Sequence, residues 1–370
     1  MDKRMKRLSI SIAILVLAAA CTRAQPPAGP AAGAPETPRP STGRTLRVLN
    51  WQGYGSDEAW AVKQFEELHG VKVVHDYMNS EEELLTKLRT SPGVYDVVLP
   101  NTAYLPLGVD EGLMQPIDVT RLSAWTDLSP RLTSLNEITR DGEIYGVPWT
   151  WGATAVAYNT EAFPGGVDTV EAFWDPANQN QIGWFDSYED SIIMAAIAAG
   201  DPTPSQPQNM DAVKAKLQQL VPQIRTFWQS EDEFNKLFAN GDITLGLYWS
   251  GSACRAKNAM QLPMGFSIPK EGAIGWVDTW AIPKDAPNAD LALEWIDFML
   301  SRDFFVKWDT EVGAPMPASQ AVLDALPEAS CAKTTMGDPA LVDRLNFFAP
   351  VPAETRKEWN ALWTEVKAGN

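Results

Sequence analysis

Histidine is nearly absent from this chain of 370 residues, which contains only His69 and His75. Neither stands at a spacing that a zinc site or a Ser-His-Asp triad would use. The chain also lacks a G-x-x-x-x-G-K-[ST] phosphate loop and a G-x-G-x-x-G turn after a predicted strand. These absences argue against zinc enzymes, triad hydrolases and the common nucleotide-binding enzymes, so we expect no metal and no cofactor.

Basic residues are in the minority, because 30 Lys and Arg face 47 Asp and Glu, for a formal charge of −17. A field of this sign repels nucleic acid and draws cations towards the protein, although an acidic surface also serves solubility alone. We therefore expect no nucleic-acid partner. With 45% hydrophobic residues, the chain is globular, and its length favours two domains.

The N-terminus predicts export. A basic start is followed by the apolar run Leu8–Ala20, which is too short to span a bilayer, so residues 1–20 are predicted to be a signal peptide. The small residues before Cys21 resemble a bacterial lipoprotein box, in which this cysteine would be acylated, while Ala18–Ala20 also suits ordinary signal peptidase. Residues 21–44, rich in Pro and Ala, predict a disordered tether. We expect a periplasmic or extracytoplasmic protein, lipid-anchored to the membrane through Cys21.

Two more cysteines, Cys254 and Cys331, lie in the part predicted to be exported. In an oxidising compartment they are candidates for a disulfide, and two buried free thiols are the alternative. A catalytic cysteine is not expected, since both histidines lie far away in the sequence.

The first folded region alternates predicted strands with helices. The strands are Thr45–Asn50, Val71–Tyr77 and Tyr95–Leu99. Gly70 ends the first helix, and Ser80 with Glu83 forms a capping box that opens the second. This order predicts parallel βαβ units. Ligands bind beyond the carboxyl ends of such strands, which here are the segments Asn50–Tyr54 and Pro100–Tyr104.

A second α/β region follows. The long, β-prone run Tyr145–Asn159 is predicted to cross between domains, and Ile182–Asp186 and Thr244–Trp249 are predicted strands. Ser250–Ser252 lacks the G-x-S-x-G frame of a nucleophile and is predicted to be a loop. Apolar residues four apart in Lys357–Lys367 predict a last helix.

The stretch Lys270–Pro283, KEGAIGWVDTWAIP, places an aromatic ring beside a carboxylate, with only Val277 between Trp276 and Asp278. The face of an indole ring attracts a cation, and a carboxylate adds a charge-assisted hydrogen bond. The stretch therefore favours a pocket for an organic cation. The alternative is a core tryptophan beside a surface aspartate at the start of a strand.

A second pair of acids, Asp186 and Glu189, stands at a predicted strand-to-helix junction. Such a pair could serve a glycosidase as acid and base. It could equally favour a helix N-terminus through the helix dipole, or supply two anions for an amino group.

Seven motifs follow one another along the chain: LNWQGY at 49–54, YDVVLPNTAY at 95–104, GVPWTWGATAVAYN at 146–159, FDSYED at 185–190, LGLYWSGSA at 245–253, PKEGAIGWVDTWAIP at 269–283 and VKAGN at 366–370. This ordered set resembles the periplasmic spermidine/putrescine-binding proteins of bacterial ABC importers. The resemblance implies an α/β, two-lobed periplasmic binding protein fold, type II-like, with hinge crossovers between two mixed-sheet α/β lobes. Lobe one would comprise 45–152 plus 277–322, and lobe two 153–276 plus 323–370.

The resemblance also implies a ligand cleft between the lobes. Its residues would be Trp51, Tyr54, Asn101, Tyr104, Asp186, Glu189, Trp249, Trp276 and Asp278. Trp249 and Trp276 would sandwich the methylene chain of the ligand. Asp186 and Glu189 would take one amino group, and Asp278 would take another.

The chain departs from the family pattern at two positions. Ala103 stands where polyamine binders carry Tyr, and Ala314 replaces another Tyr of the cleft. Losing two phenols enlarges the pocket and removes hydrogen bonds. Putrescine, spermidine, agmatine and 4-aminobutyrate are therefore all candidate ligands. An amino acid would need a cation for its carboxylate, and Arg255 is the obvious candidate.

The main hypothesis is a monomeric solute receptor that delivers a polyamine-like cation to an inner-membrane ABC permease and its ATPase, without turnover. The second hypothesis is a hydrolase using Asp186 and Glu189, whose carboxyl groups would flank one bond at about 5–9.5 Å. The third is a receptor of the same fold for an unrelated ligand, such as an anion or a sugar.

Overall fold

The computed structural model describes residues 43–369. The predicted signal peptide, Cys21 and all but the end of the tether lie outside the described residues. Within the described range, no helix is both long and apolar enough to cross a bilayer.

Strands and helices alternate along most of the described chain. The strands are β1 Thr45–Asn50, β2 Lys72–Tyr77, β3 Val97–Val98, β4 Met114–Gln115, β5 Thr139–Arg140, β6 Glu143–Ile144, β7 Val147–Asn159, β8 Ile182–Phe185, β9 Ile224–Trp228, β10 Leu245–Trp249, β11 Met264–Ser267, β12 Ala273–Trp280, β13 Ile282–Pro283, β14 Met316–Pro317 and β15 Leu345–Phe347. The α-helices are α1 Ala59–His69, α2 Glu81–Thr90, α3 Leu105–Asp110, α4 Pro130–Thr133, α5 Tyr188–Ala198, α6 Met210–Leu220, α7 Glu231–Ala239, α8 Ser250–Ala259, α9 Ala289–Leu300, α10 Arg302–Glu311, α11 Gln320–Ala325, α12 Cys331–Met336 and α13 Ala353–Ala368.

The first sheet has the parallel order β2-β1-β3, as the βαβ pattern predicts. The chain reverses between the strands at predicted signals: Gly70 ends α1 with a left-handed φ of 65°, and the Ser80 side chain accepts the amide of Glu83 at the start of α2. Beyond β3, Val98 and Ala281 exchange two backbone hydrogen bonds of 2.9 Å. This isolated antiparallel bridge links the first sheet to the small antiparallel pair of β13 and β4.

The second sheet has the order β15-β12-β7-β10-β8-β9, and β11 and β14 also pair with β7. The strand β7, 13 residues long, is its central element. Helices α5, α6 and α13 pack beside this sheet around the buried residues Ile192, Leu217 and Trp363.

Two strands pass from one hydrophobic core to another. At its start β7 contributes Trp149 to a core with residues of β1, β3, α9 and α10, whereas Val156 near its end belongs to the core with α5, α6 and α13. The strand β12 runs the opposite way, from Ile274 in the second core to Trp280 in the first. The protein therefore has two lobes that more than one strand connects.

The loop predicted at Ser250–Ser252 is wrong, because these residues form the first turn of α8. All three are buried, and the two serine hydroxyls form hydrogen bonds inside the fold: Ser250 Oγ accepts the amide of Ala153 at 3.3 Å, and Ser252 Oγ donates to Glu231 at 2.6 Å. Four residues into α8, Cys254 is bonded to Cys331 of α12 with an S–S distance of 2.06 Å.

Candidate functional site

Strand register brings the central residues of the site to one face of the second sheet. Asp278 of β12 lies opposite Thr150 of β7, and Trp276 lies opposite Gly152. Residues directly opposite one another, and alternate residues along a strand, project to the same face. The sequence separation of two between Trp276 and Asp278 therefore places an indole ring and a carboxylate side by side. Trp249 of β10, opposite Thr154, joins the same face.

The Trp276 ring fits only because Gly152 has no side chain. A Cβ atom at Gly152 would lie 2.5 Å from Trp276 Cζ2 and 2.7 Å from Ser250 Oγ. The ring therefore lies directly against the β7 backbone and is 8% exposed. Its position is fixed by the neighbouring strand rather than by rotamer preference alone.

Gly152→Ala is expected to destabilise the fold by about 1–3 kcal/mol, because overpacking must displace the ring or the backbone. Denaturant unfolding measures this difference. Gly165→Ala is the matched control, since nothing lies within 4 Å of an added Cβ there. Equal unfolding midpoints for the two variants would contradict the close packing of Trp276.

The Asp278 carboxylate is buried and takes hydrogen bonds from two neutral donors. Tyr54 OH donates to Oδ2 at 2.8 Å, and Asn101 Nδ2 donates to Oδ1 at 3.1 Å. The Tyr54 hydroxyl also lies 3.0 Å from Thr150 Oγ1. Burial raises the pKa of Asp278 to about 6, although both hydrogen bonds oppose the rise. The carboxylate is therefore held in place without a cationic partner among these donors.

Two segments from the carboxyl ends of first-sheet strands supply those donors. The Tyr54 ring packs edge-on against Trp149 and Trp308, with centroids 5.5 Å and 5.9 Å away, which directs its hydroxyl towards Asp278. Trp51, at the end of β1, is partly buried against residues of the same lobe. Asn101, just after β3, pairs with Asp278 in an isolated antiparallel bridge.

A second cluster joins the two lobes. Tyr104 OH donates to Glu82 Oε1 at 2.6 Å, and Tyr188 OH, from the start of α5, donates to the same oxygen. Arg356 of α13 lies over the Tyr104 ring at 5.4 Å. Burial, and next the charge of Glu82, raise the pKa of the neighbouring Glu189 to about 8.

The raised pKa of Glu189 makes stability depend on pH. The folded chain binds this proton more tightly than the unfolded chain, so the contribution is lost as pH rises from about 4.5 to about 8. Glu189→Gln is expected to raise the Tm of the ligand-free protein at pH 8 by about 2–4 °C, with the difference shrinking towards pH 4.5. Thermal unfolding at both pH values measures it, with exposed Glu358→Gln on α13 as the control. If the Tm difference between Glu189→Gln and wild type were the same at both pH values, ionisation of Glu189 would not be its cause.

Asp186 follows the last residue of β8 and accepts hydrogen bonds from two side chains of α13. Trp363 Nε1 donates to its Oδ1 at 3.0 Å, and Lys367 Nζ donates to the same oxygen at 2.5 Å. The two acids therefore have different partners, because Lys367 balances the charge of Asp186 whereas Glu189 lies beside Glu82. Its role towards a ligand stays a prediction.

Sequence reasoning missed three acids of this region: Glu81, Glu82 and Asp190. Asp190 is 5% exposed, and burial raises its pKa to about 6. Its backbone amide is capped by Ser187 Oγ at 3.2 Å. The S-x-x-D spacing was thus a readable signal, but it predicts a helix cap rather than a buried carboxylate. Glu81 and Glu82 follow Ser80, the N-cap of α2, so their pattern likewise predicts only a helix start.

Arg255 does not present a free guanidinium. It is bonded to both carboxylate oxygens of Glu231, to Ser252 Oγ at 2.8 Å and to the Gly313 carbonyl at 3.0 Å. The two alanines that replace family tyrosines, Ala103 and Ala314, are 4% and 0% exposed.

Among residues 43–369, no group of three or more His, Cys, Asp or Glu could hold a metal ion.

The sequence is similar to a known protein family and to individual members of it. The family model described as bacterial extracellular solute-binding protein matches residues 60–335. The spermidine/putrescine-binding periplasmic protein of Escherichia coli K12 is 31% identical over 328 residues, which cover 88% of this chain and 92% of the relative. A putrescine/agmatine-binding protein of Pseudomonas aeruginosa is 26% identical over 349 residues, with the same coverage of 88% and 92%.

Solved structures confirm the predicted fold class. A spermidine/putrescine ABC transporter protein of Listeria monocytogenes superposes with a TM-score of 0.79 at 24% identity, covering 88% of this chain and all of the other. The lipoprotein Tp0655 of Treponema pallidum superposes with a TM-score of 0.76 at 22% identity. At these identities the likeness establishes the two-lobed periplasmic binding protein fold.

Proposed function

This chain belongs to the bacterial extracellular solute-binding proteins, in the family of the spermidine/putrescine-binding periplasmic proteins, and on that premise we propose that it binds a polyamine-like organic cation for an ABC importer. The family consists of substrate-binding transport proteins. The observation that carries the proposal is the pairing of Trp276 with the buried carboxylate of Asp278 on one sheet face. An indole face and a shielded carboxylate together favour a desolvated ammonium group.

The proposed ligand lies along the face that β7, β10 and β12 form. One amino group contacts Asp278, whose orientation Tyr54 and Asn101 support. Trp276 and Trp249 contact the methylene chain. Trp51 and Tyr104 complete the wall on the side of the first sheet.

The second amino group is proposed to lie towards Glu189. Burial, and next the charge of Glu82, raise the pKa of this acid, and a cation beside it would favour its ionised form. Asp186 remains the other candidate for this end of the ligand. Because Lys367 already balances its charge, Asp186 would contribute less attraction than Glu189.

Ligand binding is proposed to close the two lobes by a hinge, with lobe one at 45–152 plus 277–322 and lobe two at 153–276 plus 323–370. The supporting observation is that β7 and β12 each contribute to both cores. Few backbone angles need to change when two rigid lobes turn about such crossover strands.

The proposal also includes the partners and the location of the protein. The receptor is monomeric, has no catalytic activity, delivers its ligand to a permease and an ATPase, and is anchored through Cys21. Agmatine is the alternative ligand, because the Pseudomonas relative is named for it. 4-Aminobutyrate is less favoured, because Glu231 already occupies Arg255, the cation proposed for its carboxylate.

Tryptophan fluorescence of the full-length protein tests the proposal, with putrescine, spermidine, cadaverine, agmatine, 4-aminobutyrate and a neutral sugar as ligands. Saturable changes are expected with cations and not with the sugar. Mass spectrometry of the recovered ligand tests turnover, and an unchanged ligand is expected. A cleaved ligand would support the carboxylate-pair hydrolase, and a response to the sugar alone would support a receptor for an unrelated ligand.

A further inference from the structure

Glu81 is a carboxylate beside the proposed ligand site that the family resemblance did not single out. Its Oε1 accepts a hydrogen bond of 3.1 Å from the backbone amide of Asn101, whose side chain donates to Asp278 Oδ1 at 3.1 Å. Glu81 and Asp278 are thus linked through a single residue. The first residue of α2 therefore reaches the same end of the cleft as β12.

The two carboxylate oxygens of Glu81 differ in their contacts. Oε2 is buried and lacks a hydrogen-bond partner among the residues that the structure describes. An ionised carboxylate can accept about four hydrogen bonds, and leaving a buried acceptor unpaired is unfavourable. Asp278 has spare capacity as well, since each of its oxygens receives one donor from a neutral side chain. Two carboxylates at one end of the cleft are therefore ready to accept further donors.

The charges that act most strongly on Glu81 are negative. They are those of Asp278 on β12, Glu189 on α5 and Glu82 on α2 itself. Burial, and next the charge of Asp278, raise the pKa of Glu81 well above its usual range, and the hydrogen bond from the Asn101 amide opposes this. A cation placed between Glu81 and Asp278 would reverse the repulsion.

We propose that Glu81 is a specificity-determining residue which, together with Asp278, holds one cationic nitrogen group of the ligand. This inference rests on the proposed function of the cleft. Two carboxylates suit a group with several N–H donors, such as a primary ammonium or a guanidinium, which can donate to both. A neutral end group can donate hydrogen bonds to them but does not balance their charge, and an anionic end group is repelled.

Binding at this end is coupled to a proton. Burial and the negative charges around Glu81 favour its protonated form in the free protein, and the arriving cation favours the ionised form. A proton that Glu81 holds therefore passes to the solvent on binding, while the ligand keeps its own charge. Affinity for the cation therefore rises with pH. Asp278 and Glu189 titrate in the same cleft, so removing Glu81 reduces this dependence without abolishing it.

The test is calorimetric titration of full-length wild type and Glu81→Gln with putrescine and spermidine, at pH 5 and pH 8, in two buffers of different ionisation enthalpy. Wild type is expected to bind about tenfold more tightly than Glu81→Gln at pH 8, and the difference shrinks at pH 5. Over this pH range wild type is also expected to release more protons on binding than Glu81→Gln. Glu83→Gln is the matched control on the same helix turn, because its carboxylate accepts the Asn79 amide and pairs with Lys87.

The outcomes separate the two proposals. Absence of binding by wild type overturns the proposed function itself. Binding by wild type, with equal affinity and equal proton release in Glu81→Gln, overturns the role of Glu81 alone. If Glu81→Gln does not fold, Glu81→Asp is titrated instead: weaker binding that still releases the proton supports the role, and binding identical to wild type overturns it.

Discussion

Asp278→Asn is expected to weaken binding of a diamine by about ten- to a hundred-fold. The substitution keeps the size of the side chain and removes the charge, and a hydrogen bond to a charged group contributes about 1.5–3 kcal/mol. Calorimetric titration with putrescine and spermidine measures the loss. Because the carboxylate is buried between Tyr54 and Asn101, salt screens its attraction for a ligand much less than at the surface.

The same variant separates binding from folding. Burial raises the pKa of Asp278 to about 6, so ionisation of this carboxyl group as pH rises lowers the stability of the ligand-free protein. The Tm of ligand-free Asp278→Asn is therefore expected to equal or exceed that of wild type at pH 8. Asp285→Asn, an exposed position seven residues along the chain, is the matched control. Unchanged affinity in Asp278→Asn would show that this carboxylate does not contact the cation.

Trp276→Ala is expected to weaken binding of putrescine, cadaverine and spermidine alike, by about tenfold or more. The ring loses a cation–π attraction of about 0.5–2 kcal/mol and the apolar contact that covers the methylene chain. The loss is expected for every ligand length, because all three ligands share the ammonium group and the adjoining methylene groups that the ring contacts. Titration of all three ligands measures the loss.

Trp276→Phe is the graded companion, since phenylalanine keeps an aromatic face and most of the volume. We expect it to retain more affinity than Trp276→Ala. The Tm of both variants is measured without ligand, because removing a buried tryptophan also destabilises a core by about 3–5 kcal/mol. A loss confined to one chain length, or equal losses in Ala and Phe variants, would contradict the contact proposed for Trp276.

The local sequence pattern was sufficient to predict those features of the site that depend on a single strand. The spacing of two between Trp276 and Asp278 predicts a shared face, and strand pairing at β12 gives them that face. The first sheet follows from three apolar segments separated by helical patterns and a Gly70 stop. These features depend on periods of two and 3.6 residues and on short-range capping, which the sequence displays directly.

Features that depend on contacts between distant residues could not be predicted. The acids that follow Ser80 display a helix start, but nothing in the sequence indicates that Glu81 reaches Asn101, 20 residues away. An acid at the end of a strand, such as Asp186, is typical of a ligand-binding residue. The sequence gives no sign that Lys367, 181 residues away, forms an ion pair with it. Ser250–Ser252 has the composition of a loop, but burial against β7 and α7 allows it to open a helix.

The most direct test of cation binding in this cleft is calorimetric titration of the purified full-length protein with putrescine, spermidine, cadaverine, agmatine and 4-aminobutyrate. We predict a 1:1 complex with at least one of the cations at micromolar affinity or tighter, about −8 kcal/mol, and no complex with 4-aminobutyrate. Absence of heat with every cation would contradict it. Heat from 4-aminobutyrate alone would show that the cleft recognises a carboxylate and that the pairing of Trp276 with Asp278 serves another ligand.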